Sequence, residues 1–203
     1  MKKILLLIII FMLTGCKEYN ELNDLAIIKS IGIESNKEYT LYAEIIEEID
    51  KDNNPHTKVI ETSGNNIGDI FNNIKTLVNK EIYLSHIDLL ILDKSLNDID
   101  YKNIASYFLN HKEFRNDFLT IFSSDTKKIL EESKYDEIEN LITTNKDNKE
   151  IIEVSFEEVI SKFLDNKDFI LSMINYDKEI KFNGNYKYKN NKLERINNEK
   201  NWT

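Results

Sequence analysis

Residues 87–92 read Ile-Asp-Leu-Leu-Ile-Leu, a nearly continuous apolar run that is typical of a central strand buried on both faces. Residues 66–78 before it have apolar side chains at the i, i+3, i+4 and i+7 spacing of an amphipathic helix, with Asn65 or Asn66 as N-cap. Residues 99–109 after it predict another helix. This alternation predicts βαβ units. The apolar positions of the first helix are Ile67, Ile70, Phe71, Ile74, Leu77 and Val78.

The remaining predicted strands lie on both sides of this unit. Residues 25–33 and 39–49 are rich in β-branched side chains and predict a hairpin that turns at Asn36 and Lys37. Gly32 permits a bulge or the close approach of another element. A type I′ turn is predicted at Asn190–Asn191, in a C-terminal hairpin. Further strands are predicted at residues 59–62, 118–122, 169–176, 180–188 and 193–196.

The second half of the chain predicts two more helices. One covers residues 126–132, and the other covers residues 155–165, where Ser155 and Glu158 have capping-box spacing. Residues 135–153 are charged and rich in Asn, so we expect them to be exposed. Together these elements predict an α/β fold of mixed α+β character, with a mixed, partly parallel sheet flanked by helices.

Composition narrows the class of protein. The chain has 203 residues, of which 41% are hydrophobic and 31% are charged, as in soluble globular domains. Acidic residues outnumber basic ones by 36 to 27, which argues against a nucleic-acid partner because nucleic-acid binding needs a basic face. The single cysteine excludes an internal disulfide and a Cys-based structural zinc site.

The first sixteen residues have the pattern of a lipoprotein signal. Lys2 and Lys3 precede an apolar run over residues 4–13, which as a helix covers only about 15 Å, half of a bilayer core. The run ends in Leu-Thr-Gly-Cys, which resembles a bacterial lipobox. The resemblance implies cleavage between Gly15 and Cys16, and conversion of Cys16 into an N-palmitoyl, S-diacylglycerol cysteine. An ordinary secretory signal with a chance cysteine, or a free buried thiol, is the alternative.

Lipid on Cys16 would determine where the protein resides. Cleavage removes Lys2 and Lys3, so the mature chain is more acidic than the net charge of −9 of the full sequence. Anionic lipid repels such a body, and the acyl chains therefore have to hold it at the membrane. We expect the protein to bind the membrane through its lipid anchor, with residues 16–24 as a polar tether.

The sequence offers no clear pattern for catalysis. His56, His86 and His111 lack an i+4 partner, so they predict no helical metal site. The neighbouring pairs Glu47–Glu48 and Glu157–Glu158 do not share a face on a helix or strand, which favours solvated surface positions over an acid/base pair. We therefore expect a protein that is not an enzyme and has neither a cofactor nor a metal site.

Residues 15–33 resemble the start of the Ger(x)C family, the C subunits of GerA-type spore germinant receptors. Members of that family open with a lipobox, a Glu-Leu-Asn-Asp-Leu-Ala-like stretch and a strand that ends in Gly-Ile-Asp. This chain has Lys17-Glu18 where members usually have Trp-Asp, and Glu34 in place of the Asp. Further segments that resemble family motifs, in the family's order, are residues 62–64, 82–92, 111–115 and 183–193.

The resemblance implies both a domain plan and a function. Residues 1–15 would be the signal peptide, residues 25–175 the N-terminal domain, and residues 176–203 a hairpin that resembles the start of the C-terminal domain, as in a short member. The protein would be a non-enzymatic subunit, lipid-anchored on the outer face of the spore inner membrane. It would dock with the A and B subunits of a nutrient germinant receptor. A solute-binding lipoprotein of a transporter and an extracytoplasmic cell-wall enzyme remain the alternatives.

Overall fold

The computed structural model describes residues 25–49, 55–133, 135–147 and 150–196. The predicted signal peptide, the tether and residues 197–203 lie outside this part of the chain. The strands are β1 Leu25–Ser35, β2 Tyr39–Ile49, β3 Pro55–Gly64, β4 Glu81–Tyr83, β5 Leu89–Asp93, β6 Leu119–Ser123, β7 Phe169–Asp177, β8 Glu179–Lys189 and β9 Lys192–Ile196. The helices are α1 Ile67–Leu77, α2 Asp98–Asn110, α3 Thr126–Glu132, α4 Tyr135–Asp147 and α5 Phe156–Leu164.

All nine strands form one mixed sheet in the order β3-β2-β1-β5-β6-β7-β8-β9, and β4 pairs with β1. Strands β1, β5, β6 and β7 are parallel, whereas β2 and β3 on one side and β8 and β9 on the other are antiparallel. The parallel pairs follow from the helical crossovers between them, and the antiparallel pairs follow from tight turns. The predicted α/β class with a mixed, partly parallel sheet is confirmed.

Strand β5 separates two hydrophobic cores. Leu90 and Leu92 belong to the larger core, which α1, α2 and α5 cover. Leu89 and Ile91 belong to the smaller core, which α3 and α4 cover. All four side chains are at most 1% exposed, since successive residues of a strand point to opposite faces. Burial on both faces explains why the sequence of β5 is continuously apolar.

A β-bulge in β1 keeps its apolar side chains on one face. The register with β2 shifts between Ile28 and Ser30, so that Ile28 and Ile31 enter the same core although they are three residues apart. Gly32, predicted to allow a bulge or a close approach, provides the close approach. A Cβ added to it would lie 2.3 Å from Cγ2 of Thr126 on α3.

Residues 135–153 depart from the sequence prediction. They were expected to be exposed, but they contain α4. Ile138 and Ile142, one turn apart, are 0% and 3% exposed and pack in the smaller core. Ile138 and Ile142 form a narrow apolar stripe among charged residues. The composition of residues 135–153 therefore predicted exposure although one face of the helix is buried.

Strand β3 is also longer than the predicted residues 59–62. It pairs with β2 along its whole length, from Pro55 opposite Ile49 to Gly64 opposite Tyr39. Its side chains are mostly exposed or half-buried, as is usual at a sheet edge. The length of β3 is determined by its backbone hydrogen bonds to β2. The apolar pattern of the sequence does not predict those bonds, so the predicted strand was too short.

Helix α1 begins as predicted and ends differently. The side chain of its N-cap Asn66 accepts a hydrogen bond from the Asp69 N–H at 2.9 Å. Its predicted core residues Ile67, Ile70, Phe71 and Ile74 are buried. Leu77, predicted to lie on the same face, is 59% exposed because it is the last residue of the helix, one turn beyond the part that packs on the core.

The C-terminal hairpin continues the main sheet. Asn190 and Asn191 have φ values of 50° and 60°, as the predicted type I′ turn requires. The Asn191 side chain accepts a hydrogen bond from the Asp98 N–H at 3.0 Å, and the Tyr188 hydroxyl donates to the Asp98 carboxylate at 2.6 Å. These contacts join the hairpin to the first turn of α2. The assignment of residues 176–203 to a second domain stays a prediction.

The close approach at Gly32 generates a stability prediction. Gly32→Ala should lower the free energy of unfolding by about 1–3 kcal/mol, since the new methyl group overlaps Thr126. Thr126→Ser removes the opposing methyl group and keeps the hydroxyl that donates to Asp93 at 2.9 Å. In urea denaturation, Gly32→Ala should therefore lower the free energy of unfolding less in the Thr126→Ser background than in the wild type. An equal cost in both backgrounds would contradict this packing argument.

Candidate functional site

The described chain begins at the amino end of the parallel strands. Gly15 and Cys16, the predicted lipidation and cleavage residues, lie outside the described residues. Leu25 opens β1 and pairs with Glu81, and Ile27 pairs with Tyr83. Strand β4 therefore extends this end of the sheet beside the point where the predicted tether joins it.

The β4–β5 loop, the loop between α2 and β6, and the last residues of α1 and α2 lie at this amino end of the sheet. The Ser85 hydroxyl donates to the Glu113 carbonyl oxygen at 2.9 Å and joins the β4–β5 loop to the loop between α2 and β6. His111, the C-cap of α2, stacks on Tyr107 with ring centroids 4.0 Å apart. We define the amino-end surface by six side chains that are all exposed. These are Leu77, Tyr83, His86, Leu109, His111 and Lys112.

A buried hydrogen-bond network lies at the opposite, carboxyl end of β5. The Tyr39 hydroxyl donates to Oδ1 of Asp100 at 2.7 Å and accepts from Nδ2 of Asn103 at 2.9 Å. Oδ2 of Asp100 accepts the Asn97 N–H at 2.9 Å and completes a capping box at the start of α2. Burial raises the pKa of Tyr39, and the hydrogen bond to the Asp100 carboxylate raises it further. This hydroxyl therefore keeps its proton and acts as a hydrogen-bond donor.

Asp93 fixes the other loop at this end. Its Oδ1 accepts the Ser95 N–H at 2.9 Å, and its Oδ2 accepts the Thr126 hydroxyl at the same distance. Asp93 and Asp100 are 7% and 4% exposed, and their oxygens are occupied by donors that order loops and helix starts. Two of these donors are the backbone N–H groups of Ser95 and Asn97, and two are the side-chain hydroxyls of Tyr39 and Thr126.

An aromatic cluster supports the C-terminal hairpin. The ring of Tyr188 lies 4.6 Å from that of Tyr101 and 5.1 Å from that of Phe169. Burial and the hydrogen bond to Asp98 raise the pKa of Tyr188. On the other face of the sheet, burial and a hydrogen bond to Glu34 raise the pKa of Tyr42 in the same way. These tyrosines are structural donors near neutral pH.

The described residues line two open cavities. The first, of about 470 Å³, lies between the start of α2, the end of α5 and the β8–β9 turn, and the exposed Ile99 and Leu164 line it with three lysines. The second, of about 420 Å³, lies beside α4 and has three carboxylates in its lining, Asp117, Glu139 and Glu153. Tyr188 lines the first cavity, and its hydroxyl donates a hydrogen bond to Asp98.

The remaining candidate residues lie on several elements, and two of them, His86 and His111, belong to the amino-end surface. His56 lies on β3, His86 in the β4–β5 loop and His111 at the end of α2. Within the described ranges, no group of three or more His, Cys, Asp or Glu side chains could hold a metal ion. Glu158 forms an i,i+4 ion pair with Lys162 at 2.6 Å, and Glu47 pairs with Lys58. No helix in the described part of the chain is long and apolar enough to cross a membrane.

Sequence reasoning missed the network of Asp100 and the amino-end surface. The Asn97-x-x-Asp100 spacing is a capping-box signal that could have identified the first of these. No comparable signal exists for Leu77 or Leu109, because an exposed leucine next to a buried turn continues the same helical pattern as a core leucine.

The fold and its network of structural polar groups define a mixed α/β domain with helices on both faces of one sheet. The family model for the N-terminal domain of spore germination proteins matches residues 18–176. The chain belongs to this family of spore germination proteins, as the resemblance to the Ger(x)C family predicted.

A relative and the solved structures complete the comparison. Spore germination protein KC of Bacillus subtilis (strain 168) is 25% identical over 134 residues, a match that covers 54% of this chain and 33% of that protein. The matched region thus spans about a third of the length of this relative. No solved structure matches the chain.

The raised tyrosine pKa values generate a pH prediction. A group whose pKa is raised by folding stabilises the native state below its unfolded pKa, about 10 for tyrosine, and this stabilisation is lost at higher pH. The free energy of unfolding should therefore fall between pH 9 and pH 11. Tyr188→Phe and Tyr42→Phe remove titrating groups, so each should make this fall shallower in urea denaturation. If both variants lose free energy of unfolding with pH as steeply as the wild type, Tyr42 and Tyr188 do not cause the fall.

Proposed function

We propose that this chain is the lipid-anchored, non-enzymatic C subunit of a nutrient germinant receptor, and that it acts in spore germination as an extracytoplasmic docking module. The observation that carries the proposal is the family match, which begins at Glu18, two residues after the lipobox cysteine. A motif that resembles a lipobox and the matched spore germination domain are therefore adjacent in the sequence, which supports the proposed anchor.

The anchor supplies membrane affinity that the net charge of the domain does not supply. Buried acyl chains contribute about 0.8 kcal/mol per CH₂ group, and two chains suffice for stable attachment. The domain is acidic, with a net charge of −9 for the full sequence, so electrostatic attraction to anionic lipid does not replace the lipid chains. On the outer face of the membrane, the tether confines the domain near other membrane subunits and raises its effective concentration there.

A docking role agrees with how the domain uses its polar groups. The buried carboxylates of Asp93 and Asp100 accept hydrogen bonds from loops and helix starts, which makes the scaffold rigid. A rigid scaffold loses little conformational entropy when it binds a partner. We therefore assign the recognition of the receptor A and B subunits to the surface of the domain.

Lipidation can be tested at the single cysteine. Cys16→Ala should abolish incorporation of radioactive palmitate and release the protein from membranes, because the thioether cannot form. Lys17→Ala, the neighbouring change that keeps the sulfur, serves as the matched control and should leave labelling unchanged. Undiminished labelling of Cys16→Ala would contradict the anchor.

The receptor role can be tested in spores. Deletion of the gene should slow germination in response to nutrients and leave vegetative growth unchanged. The wild-type gene should restore germination, and the Cys16→Ala gene should restore much less. The tagged protein should also co-purify with the A and B subunits from spore membranes. Normal germination of the deletion strain with impaired solute uptake would instead favour the solute-binding alternative.

A further inference from the structure

We propose that the amino-end surface lies against the outer leaflet of the bilayer that holds the lipid anchor, so that the domain is held in one orientation. The surface consists of Leu77, Tyr83, His86, Leu109, His111 and Lys112, as defined above. The inference rests on the proposed lipidation of Cys16 and adds the part of the domain that faces the membrane.

The length of the tether limits how far this surface can be from the lipid. Nine residue steps separate Cys16 from Leu25, and a fully extended chain covers at most about 3.3–3.6 Å per residue, or roughly 30 Å in total. Leu25 pairs with β4, whose last residue is Tyr83. The end of the sheet that carries Tyr83 is therefore the end nearest to the anchor.

Large apolar side chains are concentrated at this end. Five large hydrophobic side chains are exposed in the described ranges, and three of them belong to the amino-end surface. Leu77 is 59% exposed, Leu109 is 53% exposed and Tyr83 is 38% exposed. Leucine favours the acyl boundary, whereas tyrosine favours the level of the headgroups because its ring is apolar and its hydroxyl is polar.

The charges at this end also suit a bilayer. The protein as a whole is acidic, and anionic headgroups repel acidic surfaces. Around the amino-end surface, however, basic side chains are at least as numerous as acidic ones. The basic ones are Lys75, Lys80, Lys112 and Arg115, and the acidic ones are Glu81, Glu113 and Asp117. Two further acidic residues at this end, Asp88 and Glu47, form ion pairs with Lys29 and Lys58. Arg115 and Asp117 form an ion pair at 2.7 Å, so they add little net charge.

Helix α2 provides a matched pair of positions for a test. Leu109 lies near its last residue, and Ile99, which is 70% exposed, lies near its first. Ten residues separate them, which corresponds to about 15 Å along a helix. A probe at residue 109 should contact lipid, whereas a probe at residue 99 should remain in water.

The experiment uses the full chain after lipidation in its host. Lipid occupies the Cys16 sulfur, so Leu109→Cys or Ile99→Cys introduces the single free thiol for an NBD fluorophore. The labelled proteins are reconstituted in vesicles of phosphatidylcholine and phosphatidylglycerol, with or without nitroxide-labelled phosphatidylcholine. We expect a blue-shifted emission that nitroxide lipid quenches at least twofold at residue 109, and little change at residue 99. Leu77→Cys provides a second site that should behave like residue 109.

The possible outcomes separate this inference from the proposed function. Protein that floats with the vesicles but shows equal, weak quenching at residues 109, 77 and 99 would overturn the membrane-facing surface and leave the anchor intact. A blue shift at residue 109 without quenching by nitroxide lipid would mean that a protein copy covers the surface, which also overturns the inference. Protein that does not float with vesicles would overturn the anchor and the inference together.

Discussion

The position of β1 in the sheet is the constraint on which the rest of the structure depends. This strand pairs with β2 along one edge and with β4 and β5 along the other, so it lies inside the sheet and not at its edge. Its bulge after Ile28 keeps the apolar side chains on the side of the larger core. Because β1 is also the first described element, its direction determines which end of the domain joins the tether. The cores, the helix positions and the end that we propose to face the membrane all follow from that direction.

The polar residues of the domain stabilise this arrangement, and the proposed function accordingly depends on attachment and surface. Asp93 and Asp100 order the loops after β5, and Tyr188 joins the last hairpin to α2. We propose that a lipid holds this domain near membrane partners. Membership of the spore germination family supports a role in spore germination.

Much of this fold could be predicted from the sequence because local signals and tertiary packing agree. Helix α1 has a clear apolar stripe and an N-cap, β5 is apolar throughout, and Asn190–Asn191 specifies its own turn. Where tertiary contacts decide, prediction failed. Helix α4 has too few apolar residues to be recognised without its core, β3 is extended by backbone pairing, and the exposure of Leu77 depends on where the core ends. The candidate surface was missed for that last reason, while the lipidation of Cys16, inferred from a purely local motif, lies outside the described residues and stays a prediction.

Intact-protein mass spectrometry of the native chain from spore membranes would test the lipid anchor directly. We expect a polypeptide that begins at Cys16 and carries a diacylglyceryl group with a further acyl chain on its amino group. A chain recovered from the soluble fraction with Met1 present and an unmodified thiol at Cys16 would contradict the anchor, and with it the orientation and the receptor role built on that anchor.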